Sequence, residues 1–190
     1  MKPLITYLQQ FRHIPPEEAR LIDSAFEKRQ YHEGDYLFKG DGRVCRELFF
    51  ICSGVARIFS VNDKATEVTH FFYGENKLCL ILQSFNEETQ TTAAIQASCR
   101  AEALVISKSK LMALYQQLPY LKQIIDEINQ EHLIEKVNTR NAYVGLDAED
   151  QYRLFMMQNP AIALQVPLKH IASWLGITPQ SLSRIRKNIS

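Results

Sequence analysis

The spacing of apolar positions changes along the chain, and each change predicts a different kind of element. Leu4, Ile5, Leu8 and Phe11 recur at helical intervals, and after Pro15-Pro16 a second helical set follows in Ala19, Leu21, Ile22, Ala25 and Phe26. From about Gln30 to Ile106 the texture becomes short apolar runs, DYLFKG, ELFFICSG, VARIFSV, VTHFF and AEALVIS. These are punctuated by Gly34, Gly40-Asp41-Gly42, Gly54, Asn62-Asp63 and Gly74. Runs so short and so regularly interrupted predict an antiparallel barrel or sandwich. Past Ser107 the glycines nearly vanish, and the pattern predicts helix from Lys108 to Asn141 with a break at Pro119.

Within that helix Leu121, Ile124, Ile125, Ile128, His132 and Leu133 form an apolar stripe about one face wide. It must be buried against its own domain or against a second copy, and self-association is the favoured expectation because a new globular unit follows directly. That unit opens near Val144-Gly145. Asp147 is placed as an N-cap, Glu149 and Asp150 suit a helix N-terminus, Tyr152, Leu154, Phe155 and Met156 supply apolar content, and Asn159-Pro160 ends the helix.

The last segment, VPLKHIASWLGITPQSLSRIRKNIS, holds two short helical patterns around one glycine. Pro167 opens the first, whose inward face is Ile171, Ala172 and Leu175. Gly176 supplies the positive φ of a sharp turn, Ile177 fills the corner, and Thr178-Pro179 gives an N-cap and a first-turn proline to the second helix. Leu182, Ile185 and Ile189 form that helix's inward face. This is a helix-turn-helix pattern. The only tryptophan, Trp174, sits in its first helix, where packing explains it better than stacking on nucleic acid.

Charge changes the picture only through its placement. The 190 residues include 22 Lys+Arg against 21 Asp+Glu, a formal net charge of +1, so neither a basic coat nor an acidic tail describes the whole. From Val166 onward, however, Lys169, Arg184, Arg186 and Lys187 occur with no Asp or Glu. Gln180, Ser181, Arg184, Lys187 and Asn188 project opposite the Leu182/Ile185 side, flanked by Ser183 and Arg186. Such a ridge suits duplex DNA: Gln180, Ser181 and Arg184 are assigned to base edges in the major groove, Lys169 and Lys187 to phosphates, with the recognition helix beginning at Thr178.

Enzyme chemistry finds no foothold. The 5 histidines are isolated from one another, with no H-x-H pair followed by a carboxylate, and neither a G-x-S-x-G elbow, a phosphate-binding G-x-x-x-x-G-K-[ST] loop nor an H-E-x-x-H pair is present. Neither a metal nor a cofactor is expected, nor an enzyme. Cys45, Cys52, Cys79 and Cys99 form no C-x-x-C pair and read as free thiols, mostly in the core. The N-terminus is broken by charges and prolines, and 46% apolar residues are distributed without a run of membrane-span length, so a soluble cytoplasmic protein is expected, without a membrane partner.

With strands, a long helix and a terminal helix-turn-helix in that order, the chain resembles the Crp/Fnr superfamily of bacterial transcription regulators over nearly its whole length. YHEGDYLFKGDG looks like the entry into that family's β-roll, ELFFICSGVARIF like the following strand pair, and AEALVISKSKLMALY like the last strand and its exit into the dimerisation helix. VPLKHIASWLGITPQSLSRIRK is similar to the ending of short-tailed members typical of Bacteroidetes, which lack the C-terminal hairpin wing. The resemblance implies an α+β chain: a cyclic nucleotide-binding-like antiparallel β-roll with flanking helices over 1–107, a dimerisation helix over 108–143, and a helix-turn-helix domain over 144–190. It implies a homodimer reading successive major grooves, RNA polymerase as a further partner, and a β-roll that holds a small-molecule effector or is vestigial. The alternative is a ligand-binding or protein-interaction module whose C-terminal helices dock a protein.

The effector region departs from the family. Cyclic-nucleotide binders use a Gly-Glu pair and an Arg followed by Ser or Thr to cradle ribose and phosphate. Here Gly74 and Glu75 precede the expected place, Leu78-Cys79 occupies it, and Gln90 or Thr91 stands for the arginine. The hydroxyls of Thr91 and Thr92 do not replace a guanidinium fork, so cyclic AMP and cyclic GMP are not expected ligands. The wall of Leu78, Leu80, Ile81, Leu82 and Phe85 suits an apolar ligand or, more simply, a filled core. Iron–sulfur sensing lacks closely spaced cysteines before Cys45, and haem sensing lacks a motif around His70 or Cys79.

Overall fold

The computed structural model describes residues 3–189. Helices α1 (Pro3–Leu8) and α2 (Pro16–Ala25) precede strands β1 (Glu27–Tyr31), β2 (Tyr36–Phe38), β3 (Glu47–Ser53), β4 (Ala56–Val61), β5 (Glu67–Tyr73) and β6 (Lys77–Cys79). A short helix α3 (Leu82–Glu87) leads to β7 (Ala94–Ala97) and β8 (Ala101–Ser107). The helices α4 (Lys108–Gln117), α5 (Pro119–Tyr143), α6 (Ala148–Gln158), α7 (Pro160–Gln165), α8 (Leu168–Leu175) and α9 (Pro179–Ile189) complete the chain.

The strands form two four-stranded antiparallel sheets, ordered β1-β8-β3-β6 and β2-β7-β4-β5. Strand β3, inside the first sheet, is buried on both faces, which explains why ELFFICS is an almost unbroken apolar run. Along β3, Phe49 and Ile51 point into the space between the sheets with Ile58, Ile95 and Val105. The alternate residues Leu48 and Phe50 join Leu4, Leu8, Ile22, Leu111 and Ile128 in a second core beneath the helices. A third core, around Phe155, Ile171, Ala172 and Leu182, holds α6 to α9 together and reaches Val55 of the β-domain.

The helix break falls at Pro119 as the sequence predicts. The fate of the apolar stripe differs from the expectation. Leu121, Ile124, Ile125, Ile128 and His132 are all buried within the protomer, packed under the first sheet, so they are not the surface for a second copy. The sheet's outer face and α1 and α2 provide the cover that a reading of α5 alone could not anticipate. What stays exposed toward the end of α5 is a separate group, Leu133 at 47%, Val137 at 57% and Ile134 at 54%, followed by Val144, the extended residue that caps the helix. A spacing of four puts Leu133 and Val137 on one line of α5 facing away from the Ile128 side. Two further departures are local. Phe11 lies beyond the end of α1, and Pro160, besides ending α6, opens the short helix α7.

Ile128 fills a fully enclosed place, whereas Val137 stands in the open. Ile128→Ala is expected to lower the unfolding free energy in denaturant titration by about 3 kcal/mol, and Val137→Ala in dilute protein by less than about 0.5 kcal/mol. Equal losses would contradict the assignment of the two faces.

Candidate nucleic-acid interface

The bihelical unit at the C-terminus is built by local signals. Gly176 takes φ 69° and its N–H donates to the carbonyls of Ala172 and Ser173, while Ile177 N–H donates to Ala172 O at 3.0 Å. This closes α8 with a left-handed residue that only glycine adopts cheaply. Thr178 then caps α9, its Oγ1 accepting from Ser181 N–H at 3.1 Å, and Pro179 occupies the first helical position. Farther upstream Asp147 caps α6 by accepting from the N–H groups of Glu149 and Asp150 at 3.0 and 2.9 Å.

Leu182 is fully buried and Ile185 and Ile189 pack beside it, so α9 turns its other side outward. Gln180, Ser181, Arg184, Lys187 and Asn188 are exposed on that side, and Lys169 is exposed near the start of α8. Among the described residues no carboxylate lies within ion-pairing distance of Lys169, Arg184 or Lys187. Thr178 and Ser181 differ from the rest of the candidate set. Their hydroxyls meet at 3.0 Å and serve the helix cap, which orients Ser181 before any partner arrives.

What fixes this unit in space was not visible in the sequence. Strand β5 is the free edge of the second sheet, and its exposed backbone is met by one side chain of α8. Ser173 Oγ accepts from Thr69 N–H at 2.9 Å and donates to Glu67 O at 2.8 Å. A hydroxyl thus stands in for the missing neighbouring strand at two successive polar groups.

Directly behind it lies Arg57, 1% exposed despite its charge. Its guanidinium donates to Gln96 Oε1, to Thr69 Oγ1 at 3.0 Å and to Glu67, and it stacks 4.2 Å from the centroid of Phe59. A buried cation is tolerable when all three of its nitrogens donate in this way. Trp174, on the other side of α8, packs at 4.7 Å against Tyr143 and at 5.1 Å against Phe155. This is the packing role expected of it.

Residues 28–118, from β1 through α4, match the family model described as "Cyclic nucleotide-binding domain". That match covers just under half of the chain, and the fold is similar to that of solved Crp/Fnr regulators. It is 22% identical over 179 residues to the cyclic AMP receptor protein of Thermus thermophilus, which covers 92% of this chain and 82% of that protein. Of solved structures, a c-di-GMP responsive global regulator from Xanthomonas campestris superposes with a TM-score of 0.71 at 16% identity, covering 92% of this chain and 91% of the other. A transcriptional regulator of the Crp/Fnr family from Eubacterium rectale superposes with a TM-score of 0.72 at 15% identity, covering 96% and 87%.

Within the Crp/Fnr fold, the residues expected around an effector are not gathered at one cavity. Leu78 and Cys79 of β6 are buried in two different cores, and burial pushes the Cys79 thiol well above its usual pKa. Thr91 is tied into a backbone bridge with Arg43, and its Oγ1 accepts from Ala93 N–H at 3.1 Å. Thr92 is exposed, and its backbone lies so close to Gly40 that a Cβ there would come within 2.4 Å of its carbonyl. Gly74 and Glu75 sit at the turn between β5 and β6, on the surface side. Leu78, Leu80 and Phe85 are core residues, and α3 is fastened over them by Ser84, which accepts from Cys45 N–H at 2.9 Å and donates to Thr89 O at 2.6 Å. Leu80 and Phe85 also line a cavity of about 300 Å³ together with Lys108 and Leu111. Among the described residues, no group of His, Cys, Asp or Glu large enough to hold a metal ion occurs, and no helix is long and apolar enough to cross a membrane.

His170 lies at the junction of α8 with the β-domain, and its pKa is lowered to about 4, chiefly by burial and then by the charges of Arg57 and Lys169. Its Nδ1 finds no partner among the described residues, so the folded state gains nothing from protonating it. A folded pKa below the unfolded value of roughly 6.5 means that the unfolded chain takes up the proton first. Stability contributed by neutral His170 is therefore complete above about pH 6.5 and is lost as pH falls toward 4, by an amount on the order of 2–3 kcal/mol. Replacement by Phe is expected to flatten the stability curve over that interval in denaturant titrations at stepped pH. An unchanged slope would contradict the burial of a neutral imidazole there.

Proposed function

We propose that the chain is a sequence-specific DNA-binding transcription regulator of the Crp/Fnr type that acts as a homodimer in the cytoplasm. The observation that carries this reading is the outward side of α9: Gln180, Arg184 and Lys187 are exposed and acid-free behind a capped turn, on a unit whose inward side is fully packed. In a helix-turn-helix, residues near the start of the second helix reach base edges while cations along its length meet phosphates. Gln180, Ser181 and Arg184 are assigned to bases and Lys169 and Lys187 to phosphates, with Thr178 shaping the helix start. Residues 1–107 form the sensor β-roll, 108–143 the dimerisation helix and 144–190 the DNA-binding domain. The names of the similar regulators agree with this assignment.

Dimerisation is assigned to the exposed line of Leu133 and Val137, since two such lines bury one another when α5 pairs with a second α5. Paired in this way, two copies of α9 are expected to face successive major grooves, about 34 Å apart on B-form DNA. RNA polymerase is the further partner that such a regulator addresses. The β-roll is assigned no cyclic AMP or cyclic GMP: neither Leu78-Cys79 nor Thr91 supplies a cation for a phosphate. One observation favours a second reading, in which the C-terminal helices dock a protein: Met157 and Leu164 of α6 and α7 are 77% and 84% exposed.

Selection of bound fragments from a random DNA pool supplies the operator, and mutants then separate the roles. Arg184→Ala is expected to relax preference at one base position and weaken specific binding by about 1–3 kcal/mol. Lys187→Ala is expected to weaken binding to all sequences alike and to reduce the salt slope by about one. Affinity that is indifferent both to these changes and to added salt would favour the protein-docking reading.

A further inference from the structure

A cavity of about 720 Å³ lies outside the cyclic nucleotide-binding cassette, in a cleft where three parts meet. Phe71, Phe72 and Tyr73 of β5 form one wall and the stretch of α5 from Glu131 to Ala142 forms a second. Phe155, Gln158 and Asn159 of the C-terminal unit, with Trp174, close the third side. A volume of this size falls in the usual range for small-molecule sites, and an aromatic wall with a few amides is their usual lining.

The cleft contains one cation without an anionic partner. Lys136 places its Nζ 4.4 Å from the centroid of Phe71 and 5.4 Å from that of Tyr73, and among the described residues no carboxylate comes within ion-pairing distance of it. The rings compensate only part of the lost hydration of an ammonium group. Burial accordingly holds the Lys136 pKa below the usual lysine value, with the Cys79 thiol and Glu135 acting in the opposite direction. The neighbouring charges are already committed or opposed. Lys77 is paired with Glu135 at 2.9 Å, Glu131 is exposed at the mouth, and His132 has its pKa lowered to about 4 and is neutral at physiological pH.

One free ammonium, no arginine in the lining and a carboxylate at the rim suit a single negative charge. A phosphate ester, with more charge and more oxygen atoms, calls for a guanidinium fork or several cations. The apolar remainder of the ligand would lie against Phe71, Phe155 and Trp174. We propose that this cleft is an effector site for an organic monocarboxylate with an aromatic or apolar body, its carboxylate on Lys136 and its body against the Phe71–Phe155–Trp174 wall. Because the walls belong to the β-roll, to α5 and to the DNA-reading unit, occupation alters how the three sit together. That regulatory role rests on the DNA-binding reading above, whereas the binding site itself does not.

The chain's only tryptophan lines the cleft and reports on it. Titration of the full-length protein with 4-phenylbutyrate is expected to change Trp174 fluorescence saturably. The methyl ester and 4-phenylbutyl phosphate are expected to bind at least about tenfold more weakly. Lys136→Met is expected to reduce carboxylate affinity about tenfold, and Lys136→Arg to retain most of it. No saturable response to the carboxylate, an ester or phosphate that binds as well, or undiminished binding by a folded Lys136→Met would each overturn the site. The ester and phosphate comparisons use the unsubstituted protein, so they decide the question even if Lys136→Met does not fold. Fluorescence is read without DNA, so absence of DNA binding would leave this result standing. With an operator in hand, saturating 4-phenylbutyrate is expected to shift DNA affinity at least threefold, and intact carboxylate binding without such a shift would overturn the effector role alone.

Discussion

The free edge of β5 is the constraint on which the arrangement of this molecule turns. A sheet that ends in an unpaired strand leaves backbone donors and acceptors in need of partners, and here they are met by the hydroxyl of Ser173 rather than by another strand. Each such hydrogen bond contributes only about 1 kcal/mol, but the pair is directional and admits one placement of α8. The position of α9 then follows through Gly176 and the Thr178 cap. Arg57 anchors the same strand from behind through Glu67 and Thr69 and is itself held by Gln96 of β7, so edge strand, sheet and helix form one connected set of polar contacts. Loss of a partner from a buried cation of this kind is costly, so that set is rigid rather than adaptable.

The same junction is where the β-roll meets the C-terminal helices. The interior of the roll is filled by Phe49, Ile51, Cys79 and their neighbours, and a cavity of about 720 Å³ lies outside it, between β5, α5 and Trp174. In a close-packed protein, influence passes between units through such shared walls.

Features governed by neighbours in sequence were legible from the sequence. Asp147, Gly176 and Thr178 act on backbone groups a few residues away, and each takes the role that its type and position imply. Strand β3 was legible because burial on both faces writes a continuous apolar run. Strand β1, with sequence EKRQY, carries almost no buried side chain and left no hydrophobic trace, and β6 and β7 are too short to show a period. Ser173 and Arg57 escaped because their partners lie 104 and 39 residues away, where composition and spacing say nothing. The stripe on α5 is legible as apolar from its spacing, but which surface covers it, and that Leu133 at its end stays exposed, depends on the tertiary placement of the first sheet. For Lys136 the only available signal was a lysine beside His132 on a helix face otherwise turned inward.

The central claim is that the exposed side of α9, held by β5 through α8, enters the major groove of duplex DNA in two symmetry-related copies. Hydroxyl-radical footprinting of the protein on a selected operator tests it most directly. The account predicts two protected segments whose centres are separated by about one helical turn, 10–10.5 base pairs, with Arg184→Ala and Lys187→Ala weakening both equally. A single protected segment, or a footprint unaffected by either substitution, would contradict it.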